Sequence, residues 1–171
     1  MGVASPYLIQ QPNGQLMMVW FAVPKGTYSL NNLTILLQGS VLEPSGSWGQ
    51  VFDITHNGVA LSATSDGKYI YIIWEPSLNL NYSNAELLVT TLTGQEVAEM
   101  SLPGAVGLNG ALNGDVVVQF LNGTYALVDP FSGNIVLYPG YTEVGYVDGL
   151  FYTFSKCTLT VVNGTSKVTI R

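Results

Sequence analysis

The sequence is poor in charge, and most of the charges it has are negative. Only 9% of its 171 residues are Asp, Glu, Lys or Arg, whereas about 25% is typical of soluble domains. Eleven acids stand against five bases, and binding a phosphate backbone or an anionic membrane surface needs several clustered bases. We therefore expect no nucleic acid as a partner, and a surface that is polar through uncharged side chains.

Long apolar runs are also missing. The longest, Leu16–Val23, has eight residues, whereas a helix needs about 20 apolar residues to cross a bilayer. The first ten residues, MGVASPYLIQ, lack the basic start and the apolar centre of a signal peptide. The sequence thus predicts no membrane insertion, and no signal peptide is visible in it.

Histidine and cysteine occur once each, which is too few for a disulfide or for a zinc site built from them. His56 is expected in a loop, and no G-x-S-x-G motif is present to supply a nucleophile for it. Cys157 lies in the alternating segment KCTLTVV, where we expect a small buried side chain. Acidic turns such as TSDGK offer one carboxylate each, fewer than calcium requires. We predict no metal, no cofactor and no catalytic residue.

The sequence instead contains many short segments rich in Val, Ile, Thr, Tyr and Phe, bounded by Gly, Asn, Asp and Pro. This composition favours strands. No window of 11 or more residues keeps helical apolar spacing free of Gly and Pro. The clearest strand segments are KYIYIIW, ELLVTTL, DVVVQFL, TYALV, LFYTF and CTLTVV. The sequence predicts an all-β protein.

Asn-Gly and Asp-Gly dipeptides recur immediately before the strongest strands, and such dipeptides favour type I′ hairpin turns. They are Asn13-Gly14, Asp66-Gly67, Asn113-Gly114 and Asp148-Gly149. A second turn follows in later parts of the chain, at Thr93-Gly94, Ser132-Gly133 and Asn163-Gly164. In the first part either Gly39 or Gly46 fits this second turn.

These turns divide the chain into four units of four strands each, at about residues 5–54, 58–102, 105–139 and 142–170 of a single all-β domain, residues 1–171. Tandem four-stranded antiparallel meanders of this length are typical of β-propeller blades. Irregularity in the first unit leaves a β-sandwich or jelly roll as the alternative. A propeller of four units would either close on itself or form an open array that a second copy completes.

Two stretches, AELLVTTLTGQEV and YALVDPFSGNIV, resemble the third and fourth strands of propeller blades of the quinoprotein or YVTN type. The resemblance implies a propeller-like fold. It carries over no catalytic residue.

Candidate binding residues are aromatic, with one acid beside them. Glu75 follows Trp74 and precedes Pro76, and it is the one acid that stands beside an aromatic residue at the end of a predicted strand. Tyr138, Tyr141 and Tyr146 surround a turn in YPGYTEVGY, where they could stack on sugars, contact a neighbouring subunit or pack between strands.

Four N-x-Ser/Thr sequons are candidate glycosylation sites, although a chain rich in Asn, Gly and Thr also produces sequons by chance. They begin at Asn32, Asn81, Asn122 and Asn163. Together these features predict a non-catalytic structural or interaction domain on a cell envelope, a filament or a virion, with a protein partner or self-assembly. A sugar-binding module or glycosidase is the alternative. The low charge also suggests a hot or acidic habitat.

Overall fold

The computed structural model describes residues 2–23, 36–54, 58–76 and 81–171, which form sixteen β-strands and no helix. Among those residues there is accordingly no helix of the length and hydropathy that a membrane span requires. Each set of four consecutive strands forms one antiparallel sheet in sequence order. The predicted tandem four-stranded meanders are therefore confirmed, and the sheets are four rather than the two of a sandwich.

The sheets are numbered in chain order. Sheet I contains β1 (Gly2–Gln10), β2 (Leu16–Val23), β3 (Leu36–Val41) and β4 (Phe52–Ile54). Sheet II contains β5 (Val59–Ser65), β6 (Tyr69–Glu75), β7 (Glu86–Thr91) and β8 (Glu96–Ser101). Sheet III contains β9 (Ala105–Leu112), β10 (Asp115–Phe120), β11 (Tyr125–Asp129) and β12 (Asn134–Tyr138). Sheet IV contains β13 (Glu143–Val147), β14 (Leu150–Ser155), β15 (Thr158–Asn163) and β16 (Ser166–Ile170).

The sheets pack face to face, and their first strands lie innermost. β5 contacts β1 on one side and β9 on the other, and β9 also contacts β13. Within the described residues, no contact of comparable extent joins β13 back to β1. These residues therefore form an open arc of propeller blades.

Strands of a sheet that lies between two others are more deeply buried than strands of a sheet at the end of the arc. Strand β6 is almost completely buried because Ile70 and Ile72 pack toward sheet I, whereas Tyr71 and Ile73 pack toward sheet III. A strand covered on both faces reads as a continuous apolar run rather than as an alternating one. Strands β14 and β15 of sheet IV, by contrast, are only partly buried.

The turns lie where the sequence predicts them, but only some of them have the predicted type I′ conformation. Asn113 and Asp148 have φ of 53° and 48°, and the glycine after each is also at positive φ, as a type I′ turn requires. At Asn13-Gly14 and Asp66-Gly67 only the glycine has positive φ, so the prediction of type I′ was wrong there. At Asn13 the loop has three residues, because Gln11 N donates to Gln15 O and Gly14 N donates to Gln11 O.

The turns also decide between Gly39 and Gly46 and show where Cys157 lies. Gly46 forms the turn after β3, with φ of 85°, whereas Gly39 lies inside β3 opposite Phe52. The expectation that Cys157 is buried was wrong: it is exposed and stands with Lys156 between β14 and β15. Both residues have positive φ, of 45° and 65°, so a two-residue turn forms here without the glycine that would have marked it.

Candidate functional site

A concavity of about 350 Å³ opens where the inner strands of all four sheets end. Its walls come from the turn after β1, the end of β5, the bulged end of β9 and the turn after β13. The lining residues include Gln10, Gln11, Thr64, Ser65, Tyr146 and Asp148. This axial concavity offers amides, hydroxyls, one carboxylate and one aromatic side chain, a set that suits a neutral polar ligand.

Asp66 fixes the geometry of the sheet II turn and ties it to sheet III. Its Oδ1 accepts hydrogen bonds from the backbone N–H groups of Lys68 and Tyr69, at 2.9 and 2.8 Å. Its Oδ2 accepts from Tyr71 Oη at 2.8 Å and from Gly114 N at 3.1 Å. Burial and the Asp66 carboxylate together raise the pKa of Tyr71 far above its ordinary value. Sequence reasoning explained Asp66 by its turn alone and missed this bridge between sheets.

Trp74 and Glu75 lie inside the protein and not on a binding surface. Trp74 is 6% exposed and packs with Ile72 and Leu88 between sheets I and II. Glu75 is 0% exposed, and within the described part of the chain neither carboxylate oxygen has a hydrogen-bond partner. The structure does not bring this pair near the candidate tyrosines, which lie between sheets III and IV.

The three candidate tyrosines do meet, through Phe151. Tyr138 and Tyr141 make an edge-on contact with ring centroids 5.7 Å apart. Tyr138 and Tyr146 lie 5.7 and 5.3 Å from Phe151. Tyr138, Tyr146 and Phe151 pack on Val117 and neighbouring core residues, and burial raises the pKa of Tyr146 to about 12. Of the three alternatives left open by the sequence, this geometry favours packing between strands.

The carboxylate pair nearest to a catalytic arrangement was not singled out in the sequence. Glu86 on β7 and Glu99 on β8 share a hydrogen bond, and partial burial, this bond and the Glu99 charge raise the pKa of Glu86 to about 7. Glycosidases hold their two carboxyl groups about 5–9.5 Å apart to admit a sugar or a water. A pair in direct hydrogen bond leaves no such gap. The sequence predicts solvent-facing positions for Glu86, Glu96 and Glu99; Glu96 and Glu99 are exposed, whereas Glu86 is partly buried.

The remaining predicted positions are on the surface or beyond the described residues. Asn81, Asn122 and Asn163 are all exposed. Asn32 and His56 lie outside the described residues. Among the residues the structure does describe, no three His, Cys, Asp or Glu side chains group as metal ligands would.

An exposed apolar surface lies on the outer face of sheet IV, which, among the described residues, reaches sheet III only at its inner edge, where Asn109 Nδ2 donates to Tyr152 Oη at 3.3 Å. Strand register defines this face, since Tyr152 pairs with Val161 and Val161 with Val168, and directly opposed residues share a face. Its members are Val147, Leu150, Tyr152, Phe154, Leu159, Val161, Val168 and Ile170. Val147, Val168 and Ile170 are 55, 59 and 57% exposed. Sequence reasoning missed this surface because its residues read as ordinary strand core.

At the opposite end of the arc, the outer face of sheet I is mixed in character. Leu8 is 65% exposed there, beside Met18 on the paired strand. Farther along the same face, Trp20 Nε1 donates to Gln38 Oε1 at 3.2 Å, and Gln38 Nε2 donates to Asp53 Oδ1 at 2.8 Å. Trp20 and Ser40 on this face are only 8 and 1% exposed, so much of the outer face of sheet I is already buried within the chain.

No protein-family model matches the chain, and no curated protein is detectably similar to it in sequence. Solved structures are similar in fold. The crystal structure of HIRA(644-1017) matches with a TM-score of 0.62 and 10% identity over 98% of this chain and 56% of that chain. The WD40 domain of Toxoplasma gondii coronin matches with a TM-score of 0.52 and 13% identity over 95% of this chain and 44% of that chain. Puromycin hydrolase matches with a TM-score of 0.53 and 15% identity over 99% of this chain and 28% of that chain.

Identities this low show the fold alone. The chain is a β-propeller-like array of four sheets, and it spans little more than half, or less, of each solved structure that it matches.

Proposed function

We propose that this protein is a non-catalytic structural or interaction domain that works by covering the outer face of sheet IV with a protein partner. The observation that carries the proposal is the apolar character of that face, on which Val147, Val168 and Ile170 are exposed and the other apolar side chains are half-buried. Monomeric soluble proteins rarely leave contiguous apolar patches of several hundred Å² uncovered unless the patch is functional.

The wider setting that we propose is a cell envelope, a filament or a virion surface. Support comes from the low charge of the chain and from sequon asparagines at exposed positions, Asn81, Asn122 and Asn163. A coat of uncharged polar side chains keeps its hydrogen bonding in acidic and neutral media alike.

Hydrophobic-dye binding combined with light scattering tests the proposal. A binding surface gives either an assembly heavier than 18.4 kDa or a monomer that binds the dye through sheet IV. In the second case Ile170→Glu should abolish dye binding, whereas Thr169→Glu, which adds the same charge to the other face of β16, should not. A monomer that binds no dye would contradict the proposal.

A second candidate function is the binding of a neutral sugar in the axial concavity. Gln10, Thr64 and Asp148 supply polar groups there, and Tyr146 supplies an aromatic side chain. A site that binds a neutral sugar needs both kinds of group. Titration of the protein with a panel of neutral glycans tests this. Binding that is lost in Gln10→Ala, with unchanged solution mass, would support it, and no binding across the panel would count against it.

A further inference from the structure

The outermost strand of sheet III is apolar, uncharged and exposed along most of its length. Strand β12, Asn134–Tyr138, pairs only with β11 among the described residues. Ile135, Val136 and Leu137 are 43, 52 and 62% exposed. Alternate residues of such a strand direct their N–H and C=O groups away from the neighbouring strand. This edge of sheet III therefore offers backbone donors and acceptors to a further strand.

The other three outer strands carry the features that usually keep a sheet edge from pairing, namely charge, irregularity or short length. β8 contains Glu96 and Glu99, and its register with β7 shifts at Val97. β16 contains Lys167, and β4 has only three residues, one of them Asp53. β12 contains no charge and no proline, and its register with β11 is unbroken. Of the four outer edges in the described residues, β12 is thus the unprotected one.

Both faces of β12 suit an added strand. Ile135 is paired with Val128 and shares its face toward sheet II. Val136 is paired with Leu127 and lies on the opposite face, toward sheet IV. An added strand would meet apolar neighbours on both faces, and β-branched side chains pack best in such cross-strand pairs. The segment that fits this edge is therefore extended and rich in Val, Ile or Thr.

The charge around this edge favours a basic partner. The chain has a net charge of -6, and Asp129 is paired with Asn134 at one end of β12. A hydrogen bond from Ser132 Oγ holds the pKa of Asp129 below its ordinary value, so this carboxylate is ionised at neutral pH. Lysine or arginine at the ends of an added segment would be attracted to this field.

We propose that β12 binds an extended segment of a protein partner, uncharged in its centre and basic at its ends, as an added strand of sheet III. In strand addition of this kind, main-chain hydrogen bonds supply the affinity and alternating side chains supply the specificity. The edge is separate from the outer face of sheet IV, so the inference goes beyond the proposed function.

A second copy of the chain fits the same edge less well. Pairing of five residues at about 3.4 Å each, over a sheet depth of about 10 Å, covers roughly 170 Å², whereas standard interfaces bury ~800 Å² per partner. Two copies would also bring together two net charges of -6. A short extended segment needs no such area, because it docks through main-chain hydrogen bonds.

Binding of a labelled peptide to the full 171-residue chain tests the inference. The probe is a short peptide in which threonine and valine alternate between terminal lysines. Fluorescence anisotropy should show saturable binding with a Kd below about 1 mM. Val136→Lys adds the kind of charge that protected edges carry, and it should weaken binding by about tenfold or more. Val97→Lys is the matched control, because it adds the same charge to β8 at a position that is 42% exposed, and it should bind like the wild type.

Hydrogen exchange then locates the bound peptide. Residues 134–138 should exchange more slowly when the peptide is present, and Ile170→Glu in sheet IV should leave this protection unchanged. Terminal glutamates in place of the lysines should weaken binding several-fold, and equal binding of the two peptides would overturn the basic class of the partner.

Three results would overturn the docking edge itself. The first is no saturable binding below about 1 mM, and the second is equal binding to the wild type and Val136→Lys. The third is a wild-type mass above 18.4 kDa that Val136→Lys returns to the monomer, because a second copy would then occupy the edge.

Discussion

Single side chains in this protein act mainly by connecting sheets. Asp66 caps its own turn and reaches Gly114 in the next sheet, and Asn109 Nδ2 donates to Val144 O across sheets III and IV at 2.6 Å. A carboxylate that accepts several hydrogen bonds stabilises a fold more than one that merely shapes a turn, because its removal leaves donors unsatisfied.

Asp66→Ala should lower the free energy of unfolding by about 2–4 kcal/mol, since backbone donors and Tyr71 Oη lose their acceptor. Asp129→Ala is the control, because Asp129 bonds only within its own turn, to Phe131 and Ser132, and its effect should be clearly smaller. Urea unfolding measures both, with a shift in midpoint at constant slope. Equal losses for the two variants would contradict the bridging role of Asp66.

Because of Glu86, we expect the free energy of unfolding to rise as the pH is lowered. Its pKa is raised to about 7 in the folded protein, from 4.5, so the folded state holds a proton that the unfolded chain releases. The contribution is full below about pH 4.5 and is lost as the pH rises through 7.

The Glu86→Gln variant should flatten this dependence. Thermal melts from pH 4 to 8 are the measurement, with Glu96→Gln, an exposed acid of the same sheet, as the control. The effect should stay below ~1 kcal/mol, because Glu99 is exposed and solvent screens the pair. A slope that persists unchanged in Glu86→Gln would assign the acid stability to other groups.

At the scale of elements, close approach between sheets depends on glycines in the inner strands and turns. A bulge in β9 places Gly110 at φ of 88°, and a Cβ there would lie 2.5 Å from Tyr146 O. Gly94, in the turn after β7, is similar: a Cβ would lie 2.7 Å from Asp53 O in sheet I. Bulges of this kind bend the strand and let the next blade approach.

Gly110→Ala should therefore lower the free energy of unfolding by about 3 kcal/mol or more, combining left-handed strain with overpacking against β13. Gly123→Ala is a matched control, because Gly123 also has positive φ of 82° but nothing within 4 Å of a Cβ. It should lose only the strain, about 1–2 kcal/mol. Chemical denaturation distinguishes the two, and equal losses would mean that the contact with Tyr146 is unimportant.

The described residues as a whole form an arc of four sheets, and the end at sheet IV carries the exposed apolar side chains Val147, Val168 and Ile170. If the protein partner of this face is another copy of the chain, unfolding is coupled to dissociation, and the melting temperature should rise with protein concentration. Calorimetry over a hundredfold range of concentration measures this. Val168→Glu should remove the dependence and Thr169→Glu should keep it. A wild-type melting temperature independent of concentration would contradict self-assembly through this face.

Much of the fold was predictable because the signals are local. Strand composition and the turn dipeptides placed the four sheets, and Asn113-Gly114 and Asp148-Gly149 even gave the turn type. The Lys156-Cys157 turn could not be predicted, because neither residue favours positive φ and its strands alone hold it. Trp74 and Glu75 looked like a binding edge, since a strand end in sequence does not reveal that neighbouring sheets cover both faces.

The sequence by itself determined the all-β class, the fourfold repeat of meanders and the position of most turns, because backbone preferences act over a few residues. Only the tertiary structure decided which apolar strands become core. β6 and β14 are similarly apolar, yet β6 lies between two sheets and is buried while β14 is only partly buried, because burial depends on what packs alongside a strand. The candidate interaction surface is therefore a consequence of the open arc, which depends on contacts between residues far apart in the chain.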